Sequence, residues 1–216
     1  MLVTKPFERA DPAGPCFVCR GVDPRREVVW YDRPVRQVAG LATALLGVGA
    51  LEPGYLLVFP SAHVTSFAQV PRVQRQALVG FVEEQRALVE REFGPTVLFE
   101  HAGCQTHDPT SSACVAHAHL HLWAVGDRVR LSLPDPGRTF RSLKAFMEAG
   151  DLYLTEPYLL AQNWGEDVLV GRSVGVPQYF RRQVAAQLGR RDEWDYAAFP
   201  HEMAMSRTLS LLARGT

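Results

Sequence analysis

Residues 117–123 read His117-Ala118-His119-Leu120-His121-Leu122-Trp123. In an extended strand, successive side chains point to opposite faces, so a histidine at every second position places all three imidazoles on one face. The intervening alanine and leucines take the other face, where they can pack into a core. Histidine acts as a nucleophile, a proton shuttle or a metal ligand near neutral pH, so the run predicts a functional site on a strand. A pure metal site on that strand is the main alternative.

The composition is that of an ordinary folded protein. The chain has 216 residues, of which 47% are hydrophobic and 21% charged, which suits one domain with an extension. Lysine plus arginine and aspartate plus glutamate number 23 each, so the net charge gives no argument for a nucleic-acid or membrane-surface partner. No apolar run approaches the ~20 residues of a membrane span, and the first residues lack a signal-peptide core. The expected location is therefore cytoplasmic.

Hydrophobic patterning predicts strands and helices that alternate without a regular βαβ order. Strands are predicted at 27–31, 54–60, 96–101, 117–123, 158–162 and 168–171. Helices are predicted at 71–93, 140–149, 178–188 and 202–213. We expect an α+β fold with a mainly antiparallel sheet of about five strands and packed helices. Turn formers at 134–137 predict a boundary between residues 1–130, which carry the histidine site, and an α/β extension at 131–216 packed on the same domain.

Three segments, in order along the chain, resemble the histidine-triad (HIT) superfamily of nucleotide hydrolases and transferases. The first reads Gly54-Tyr55-Leu56-Leu57-Val58-Phe59-Pro60-Ser61-Ala62-His63-Val64 and is similar to the family's glycine, apolar strand, proline and downstream histidine. The predicted helix at 71–93 stands where the family has one, and residues 117–122 match its alternating histidine signature. The resemblance covers residues 16–125 and implies a HIT-like fold, with residues 1–130 as the catalytic domain.

The resemblance implies a nucleotide phosphohydrolase of the zinc-binding bacterial type. His119 takes the position of the family's nucleophile, which attacks the phosphate next to a nucleoside and forms a nucleotidyl-histidine. Water then releases a nucleoside monophosphate from a phosphoanhydride, such as a dinucleoside polyphosphate, or from a phosphoramidate. His121 matches the third triad position, which contacts phosphate and helps the leaving group. Uridylyl transferases of the superfamily carry glutamine there, so histidine favours hydrolysis.

Two alternative functions stay open beside hydrolysis. One is a nucleotidyltransferase of the adenylyl or uridylyl type, which hands the nucleotide to a second acceptor. The other is a zinc-stabilised protein that binds a nucleotide without turnover. In each case the partner is a nucleotide or nucleotide conjugate, and because family members commonly pair, the resemblance also implies a homodimer.

Several polar residues are candidates for binding the substrate. Ser111 and Ser112 lie in the loop before the histidine strand, where hydroxyls and backbone amides can stabilise phosphoryl oxygens. Glu100 ends the strand before that loop. Gln178 and Arg181 begin a helix after a proline, and an arginine fork matches phosphate oxygens. A passive loop or surface role is the alternative for each. The segment 113–116 also departs from the glycine-glutamine pair common in the family.

The pair Cys16 and Cys19 is spaced to supply two tetrahedral metal ligands from one turn, although a redox pair or a chance spacing gives the same sequence. In the superfamily, some bacterial hydrolases and the uridylyl transferases bind a structural zinc through such a pair, the histidine after the apolar strand and the first triad histidine. By this resemblance, His63 and His117 complete the site and the cofactor is Zn²⁺. A rival ligand set consists of His101, Cys104 and His107.

Overall fold

The computed structural model describes residues 16, 18, 19, 29–103 and 117–214. Within these residues, eight strands form one sheet in which every neighbouring pair is antiparallel. The strands are β1 (Arg36–Val38), β2 (Ala42–Leu46), β3 (Tyr55–Pro60), β4 (Val97–His101), β5 (Leu120–Trp123), β6 (Pro136–Phe140), β7 (Tyr158–Gln162) and β8 (Val168–Arg172). Their order across the sheet is β1-β2-β3-β5-β4-β7-β8-β6.

Helices found in the described part of the chain follow the sequence prediction closely. They are α1 (Arg72–Phe93), α2 (Leu143–Glu148), α3 (Tyr179–Gln187) and α4 (Glu202–Leu212). Short 3-10 helices lie at Trp30–Asp32, Phe67–Gln69, Gly150–Tyr153 and Arg191–Glu193. Among the helices described, none combines the length and the apolar character that a membrane crossing requires.

The predicted α+β class and the mainly antiparallel sheet are confirmed, but the expected number of about five strands is wrong. Strand β2 is buried at every position and lacks the polar-apolar alternation that identifies a half-buried strand. Strand β6 begins at Pro136 in a run of turn formers and is the last strand of the sheet, where proline is tolerated. The strand predicted at 27–31 is replaced at its end by the 3-10 helix Trp30–Asp32.

The strands after residue 130 continue the sheet that carries the histidines. Strand β7 pairs with β4, and β8 and β6 follow outward from it. The predicted division near residue 130 stays a prediction, but strands from both sides of it share one hydrogen-bonded sheet. Strand β5 lies inside this sheet, where it pairs with β3 on one side and with β4 on the other.

The two faces of the sheet differ in what covers them. We call the face that carries His121 the histidine face; the pairing register places Leu57 of β3 and Phe99 of β4 beside it. Helix α3 lies over this face, because the Phe180 and Phe99 rings are 5.1 Å apart. Helix α1 covers the opposite face, where its Arg86 donates a hydrogen bond to a side chain of β7. The alternation in β5 thus separates an apolar core face from the histidine face.

Replacement of Gly54 by alanine should destabilise the fold. Gly54 has φ +83°, and an added Cβ would lie 2.7 Å from the Ala124 Cβ and 2.8 Å from the Phe93 Cβ. We expect the free energy of unfolding to fall by about 2 kcal/mol or more. The matched control is Gly80→Ala on the exposed side of α1, where nothing lies within 4 Å, and it should raise stability by roughly 0.5–1 kcal/mol. Urea unfolding of both variants measures this, and equal stability of Gly54→Ala and wild type would contradict it.

Candidate active site and metal cluster

The three histidines of residues 117–123 belong to two neighbouring sites. The His119 and His121 rings lie 4.7 Å apart, centroid to centroid. His117 and His121 are buried, whereas His119 is partly exposed. His117 turns its Nδ1 towards the two cysteines, 3.4 Å from the Cys16 Sγ. The structure therefore brings His119 and His121 together as predicted for a reaction site and gives His117 a different set of neighbours.

A backbone carbonyl determines which nitrogen of His119 carries the proton. The His119 Nδ1 lies 2.9 Å from the carbonyl oxygen of His117. A carbonyl only accepts hydrogen bonds, so Nδ1–H is the donor and the lone pair of the neutral ring is on Nε2. The ring is stacked on Phe59 at 5.4 Å. In its neutral form His119 therefore presents the lone pair of Nε2, which can act as a nucleophile.

The second histidine, His121, is enclosed by aromatic side chains. Its ring is stacked on Phe99 at 4.3 Å and 10°, and its Nδ1 lies 2.5 Å from the Tyr55 hydroxyl. Burial lowers the pKa of His121 well below its usual value, and the charges of His119 and Arg181 add to the effect. His121 is therefore neutral at physiological pH, and one of its two nitrogens carries an N–H that can donate a hydrogen bond.

Four side chains form a cluster that can hold a metal ion. One ligand atom from each of Cys16, Cys19, His63 and His117 lies within 4.8 Å of the others. The Cys19 Sγ is 3.3 Å from the His63 Nδ1 and 3.6 Å from the His117 Nδ1. The predicted ligand set is brought together from three separate parts of the chain. In the rival set, Cys104 and His107 lie outside the described residues.

The hydrogen bonding around the cluster suits metal ligands. The His117 Nε2 lies 2.8 Å from the carbonyl oxygen of Pro60, so its N–H donates a hydrogen bond to that oxygen. The lone pair of Nδ1 is then directed at the cysteines. Burial also lowers the pKa of His117, which favours the neutral ring that a ligand must have. Burial raises the pKa of the Cys19 thiol to about 11, with Cys16 adding to the rise, and a bound cation would oppose this by stabilising thiolate.

Glu100, predicted to bind substrate, lies on the face opposite the histidines. Its carboxylate accepts hydrogen bonds from the Phe67 backbone N–H at 2.8 Å and from the Tyr158 hydroxyl at 2.6 Å. Its neighbour Phe99 faces His121, so strand alternation turns Glu100 away. Burial raises the pKa of Glu100 to about 8. The structure thus places this carboxyl in the core beneath the sheet and does not bring it to the triad.

Arg181, also predicted to bind substrate, is buried and directs its donors at oxygens of the protein. The guanidinium donates hydrogen bonds to the Oε1 of Gln178 and to the backbone carbonyls of Val48, Gly49 and Trp194. Gln178 in turn donates to Asp195 at 3.3 Å. The structure brings Arg181 close to His121 without directing it at a substrate. The other predicted phosphate contacts, Ser111 and Ser112, lie outside the described residues.

Residues that sequence reasoning missed support the site from behind. Tyr55 and Trp123 stack at 4.1 Å, and the Arg181 guanidinium carbon lies 5.5 Å from the Trp123 ring centroid. His101, predicted only as a member of the rival ligand set, lies at the end of β4 on the same face as Phe99, and its Nε2 is 2.9 Å from the Ser173 hydroxyl. Burial lowers the pKa of His101 to about 4. Period-two alternation along β3 and β4 could have placed Tyr55 and His101 on the histidine face. No local pattern predicts the contacts that the C-terminal segment makes with this site.

Comparisons with known proteins give a partial structural likeness. No protein-family model and no curated protein matches the chain. A Hit-like protein involved in cell-cycle regulation from Bartonella henselae matches with a TM-score of 0.35 and 16% identity over 42% of this chain and 67% of that one. A hypothetical histidine triad nucleotide-binding protein from Sulfolobus tokodaii matches with a TM-score of 0.40 and 18% identity over 63% of this chain and 85% of that one.

The buried carboxyl of Glu100 should make stability depend on pH. Its pKa is about 8 in the folded protein and near 4.5 in the unfolded chain, so folding favours the protonated form. This contribution is complete below pH 4.5 and is lost as the pH rises towards 8. In that window Glu100→Gln should remove a slope of up to about 1.4 kcal/mol per pH unit. Unfolding of wild type, Glu100→Gln and the exposed control Glu83→Gln at several pH values measures it; parallel curves for wild type and Glu100→Gln would refute the assignment.

Proposed function

We propose that the protein is a nucleotide hydrolase that acts through a covalent nucleotidyl intermediate on His119. The observation that carries the proposal is the hydrogen bond from the His119 Nδ1 to the His117 carbonyl, because it directs the lone pair to Nε2. A neutral donor histidine lies beside it, 4.7 Å between ring centroids. A nucleophile and an adjacent hydrogen-bond donor that stabilises the leaving group support a double displacement at phosphorus.

The reaction proceeds in two steps. In the first, the His119 Nε2 attacks the phosphorus bound to the nucleoside oxygen, and the bond from phosphorus to the leaving group breaks. The leaving group departs with the electron pair, and a hydrogen bond from the His121 N–H stabilises the charge that forms on it. In the second, water attacks the same phosphorus, the phosphorus–nitrogen bond breaks with its electron pair returning to the His119 Nε2, and the proton that the water loses passes through solvent to the leaving group. The products are a nucleoside monophosphate and the protonated leaving group.

The substrate class follows from this chemistry. Phosphoanhydrides, such as dinucleoside polyphosphates, and nucleoside phosphoramidates have leaving groups that a neighbouring hydrogen-bond donor can assist. Ser111 and Ser112 stay the predicted donors to the phosphoryl oxygens. Arg181 contributes positive charge near His121, and its guanidinium is held by backbone carbonyls of the protein. The homodimer implied by the resemblance stays a prediction.

We further propose that the metal of the cysteine-histidine cluster is zinc and that its role is structural. Two thiolates and two imidazoles are the preferred ligands of Zn²⁺. Zinc–ligand bonds of roughly 2.0–2.3 Å at tetrahedral angles separate ligand atoms by about 3.5 Å, close to the 3.3–3.6 Å distances found here. Four protein ligands complete a tetrahedral site. The ion, when bound, would hold the two cysteines against the segment that leads into β5.

Replacement of His119 by alanine should abolish turnover and leave the fold intact. We expect kcat to fall by a factor of roughly 1,000 or more, because the nucleophile is removed. The assay uses a panel of dinucleoside polyphosphates and nucleoside phosphoramidates with an acid-free quench that traps a phosphorus–nitrogen linkage. The histidine control is His201→Asn at the start of α4, where asparagine tolerates the left-handed backbone. Unchanged turnover in His119→Ala would contradict the proposal.

The same assay separates the alternative functions. A new nucleotide product that appears only when phosphate or a sugar phosphate is added would identify a nucleotidyltransferase. Nucleotide binding by the wild type without any trapped intermediate or turnover would identify a binding protein instead.

Metal analysis should find one zinc ion per chain, and its removal should loosen the fold. Chelation is expected to lower Tm by several degrees, because the cluster joins separate chain segments. Cys16→Ser should lose the zinc, whereas His119→Ala should retain it. Elemental analysis and thermal unfolding of the three proteins provide the measurement. Equal zinc content in wild type and Cys16→Ser would show that the cluster is not the site.

A further inference from the structure

We propose that Tyr55 is a positioning residue that holds His121 in the tautomer with its proton on Nε2. The inference rests on the proposed function, because the Nε2–H of His121 is then the donor to the phosphate oxygen or leaving group. Tyr55 is distant in sequence from the histidine run. It acts through His121, to which its hydroxyl is hydrogen-bonded.

The direction of the hydrogen bond follows from the chemistry of the two groups. The Tyr55 hydroxyl and the His121 Nδ1 are 2.5 Å apart, and both are buried. A phenol is a stronger hydrogen-bond donor than a neutral imidazole N–H, and an imidazole nitrogen is a stronger acceptor than a phenol oxygen. The hydroxyl therefore donates to Nδ1. Because the neutral ring carries one proton, that proton is on Nε2.

The ring of Tyr55 is held so that its hydroxyl stays at this position. On one side Gly47 leaves room for it: an added Cβ there would lie 2.1 Å from the Tyr55 Cδ1. Trp123 stacks against the ring at 4.1 Å and 16°. The pairing of Tyr55 with Trp123 across β3 and β5 sets this stack two residues from His121. The tyrosine thus has little freedom to turn away.

Arg181, in the C-terminal segment, helps to hold the Tyr55 ring in this position. Its guanidinium carbon lies 5.8 Å from the Tyr55 ring centroid, within reach of a cation–π interaction. Its Nη2 donates to the carbonyl of Gly49 at 2.9 Å, in the connection between β2 and β3 that also contains Gly47. The positive charge of Arg181 further disfavours protonation of His121. Helix α3 thereby supports the tautomer that Tyr55 selects.

Nitrogen NMR of the wild-type protein tests the tautomer without any substitution. With ¹⁵N-labelled histidine, long-range proton–nitrogen spectra distinguish a nitrogen that bears a proton from one that accepts a hydrogen bond. Assignment by comparison with His121→Gln identifies the signals. We expect a protonated Nε2 and an accepting Nδ1 for His121. A protonated Nδ1 in the wild type would overturn the proposal.

Tyr55→Phe tests the consequence for turnover. Loss of the hydroxyl removes the donor to Nδ1, so His121 should populate both tautomers and kcat should fall about tenfold or more, with KM changed little. The matched control is Tyr158→Phe, another buried tyrosine, whose hydroxyl donates to Glu100 on the opposite face. It should leave kcat and the His121 signals unchanged. Wild-type kcat in Tyr55→Phe, or an equal loss in Tyr158→Phe, would overturn the positioning role.

Two further outcomes keep this test separate from that of the proposed function. Should Tyr55→Phe fail to fold, Gly47→Ala displaces the same ring while retaining the hydroxyl, and the same loss of kcat and change of tautomer are expected. A wild-type protein without turnover on the nucleotide panel would contradict the proposed function, whereas the wild-type NMR spectrum would still decide the tautomer.

Discussion

The antiparallel pairing of β5 with β3 on one side and β4 on the other is the constraint on which the site depends. Its register places His121 between Leu57 and Phe99 and brings Tyr55 against Trp123. A shift by one residue would turn every side chain of β5 to the other face and exchange His121 for a leucine. The buried leucines of β5 oppose such a shift, because they would have to leave the core. Packing of the apolar face of β5 thus determines which face of the sheet carries His121.

Hydrogen bonds to oxygen atoms divide the work among three chemically identical side chains. The carbonyl of Pro60 accepts a hydrogen bond from the Nε2 of His117 and leaves its Nδ1 to the cysteines. The carbonyl of His117 accepts a hydrogen bond from the Nδ1 of His119, so the lone pair of the neutral ring is on Nε2. The hydroxyl of Tyr55 donates to His121. His117 therefore connects the two sites, since its ring belongs to the cysteine-histidine cluster and its backbone orients His119.

The C-terminal segment supports the site through contacts within the protein. Arg181 and Gln178, for which substrate contact stays a prediction, bond to each other, and Arg181 also bonds to the backbone behind the aromatic rings. A buried guanidinium needs several acceptors, and the carbonyls of the β2–β3 connection supply them. The strands β7, β8 and β6, which precede α3 in the chain, extend the sheet outward from the edge of β4. The segment after residue 130 therefore adds strands to the sheet and covers part of the histidine face.

The sequence alone predicted a histidine strand, the long helix α1, the α+β class and the four side chains of the metal-binding cluster, although β5 begins at Leu120 and contains His121 alone of the three histidines. Each of these is written in local spacing: period two in a strand, period three to four in a helix, or the resemblance of short motifs. Local spacing also places Glu100 next to the site, whereas alternation in β4 buries it on the other face beside Tyr158. Only the tertiary structure decided that β6 joins the sheet, that α3 covers the histidines and that Arg181 lies behind Tyr55. The physical reason is that a strand pattern records which side chains share a face, but the partner that covers this face comes from distant residues and is chosen by the packing of the whole core.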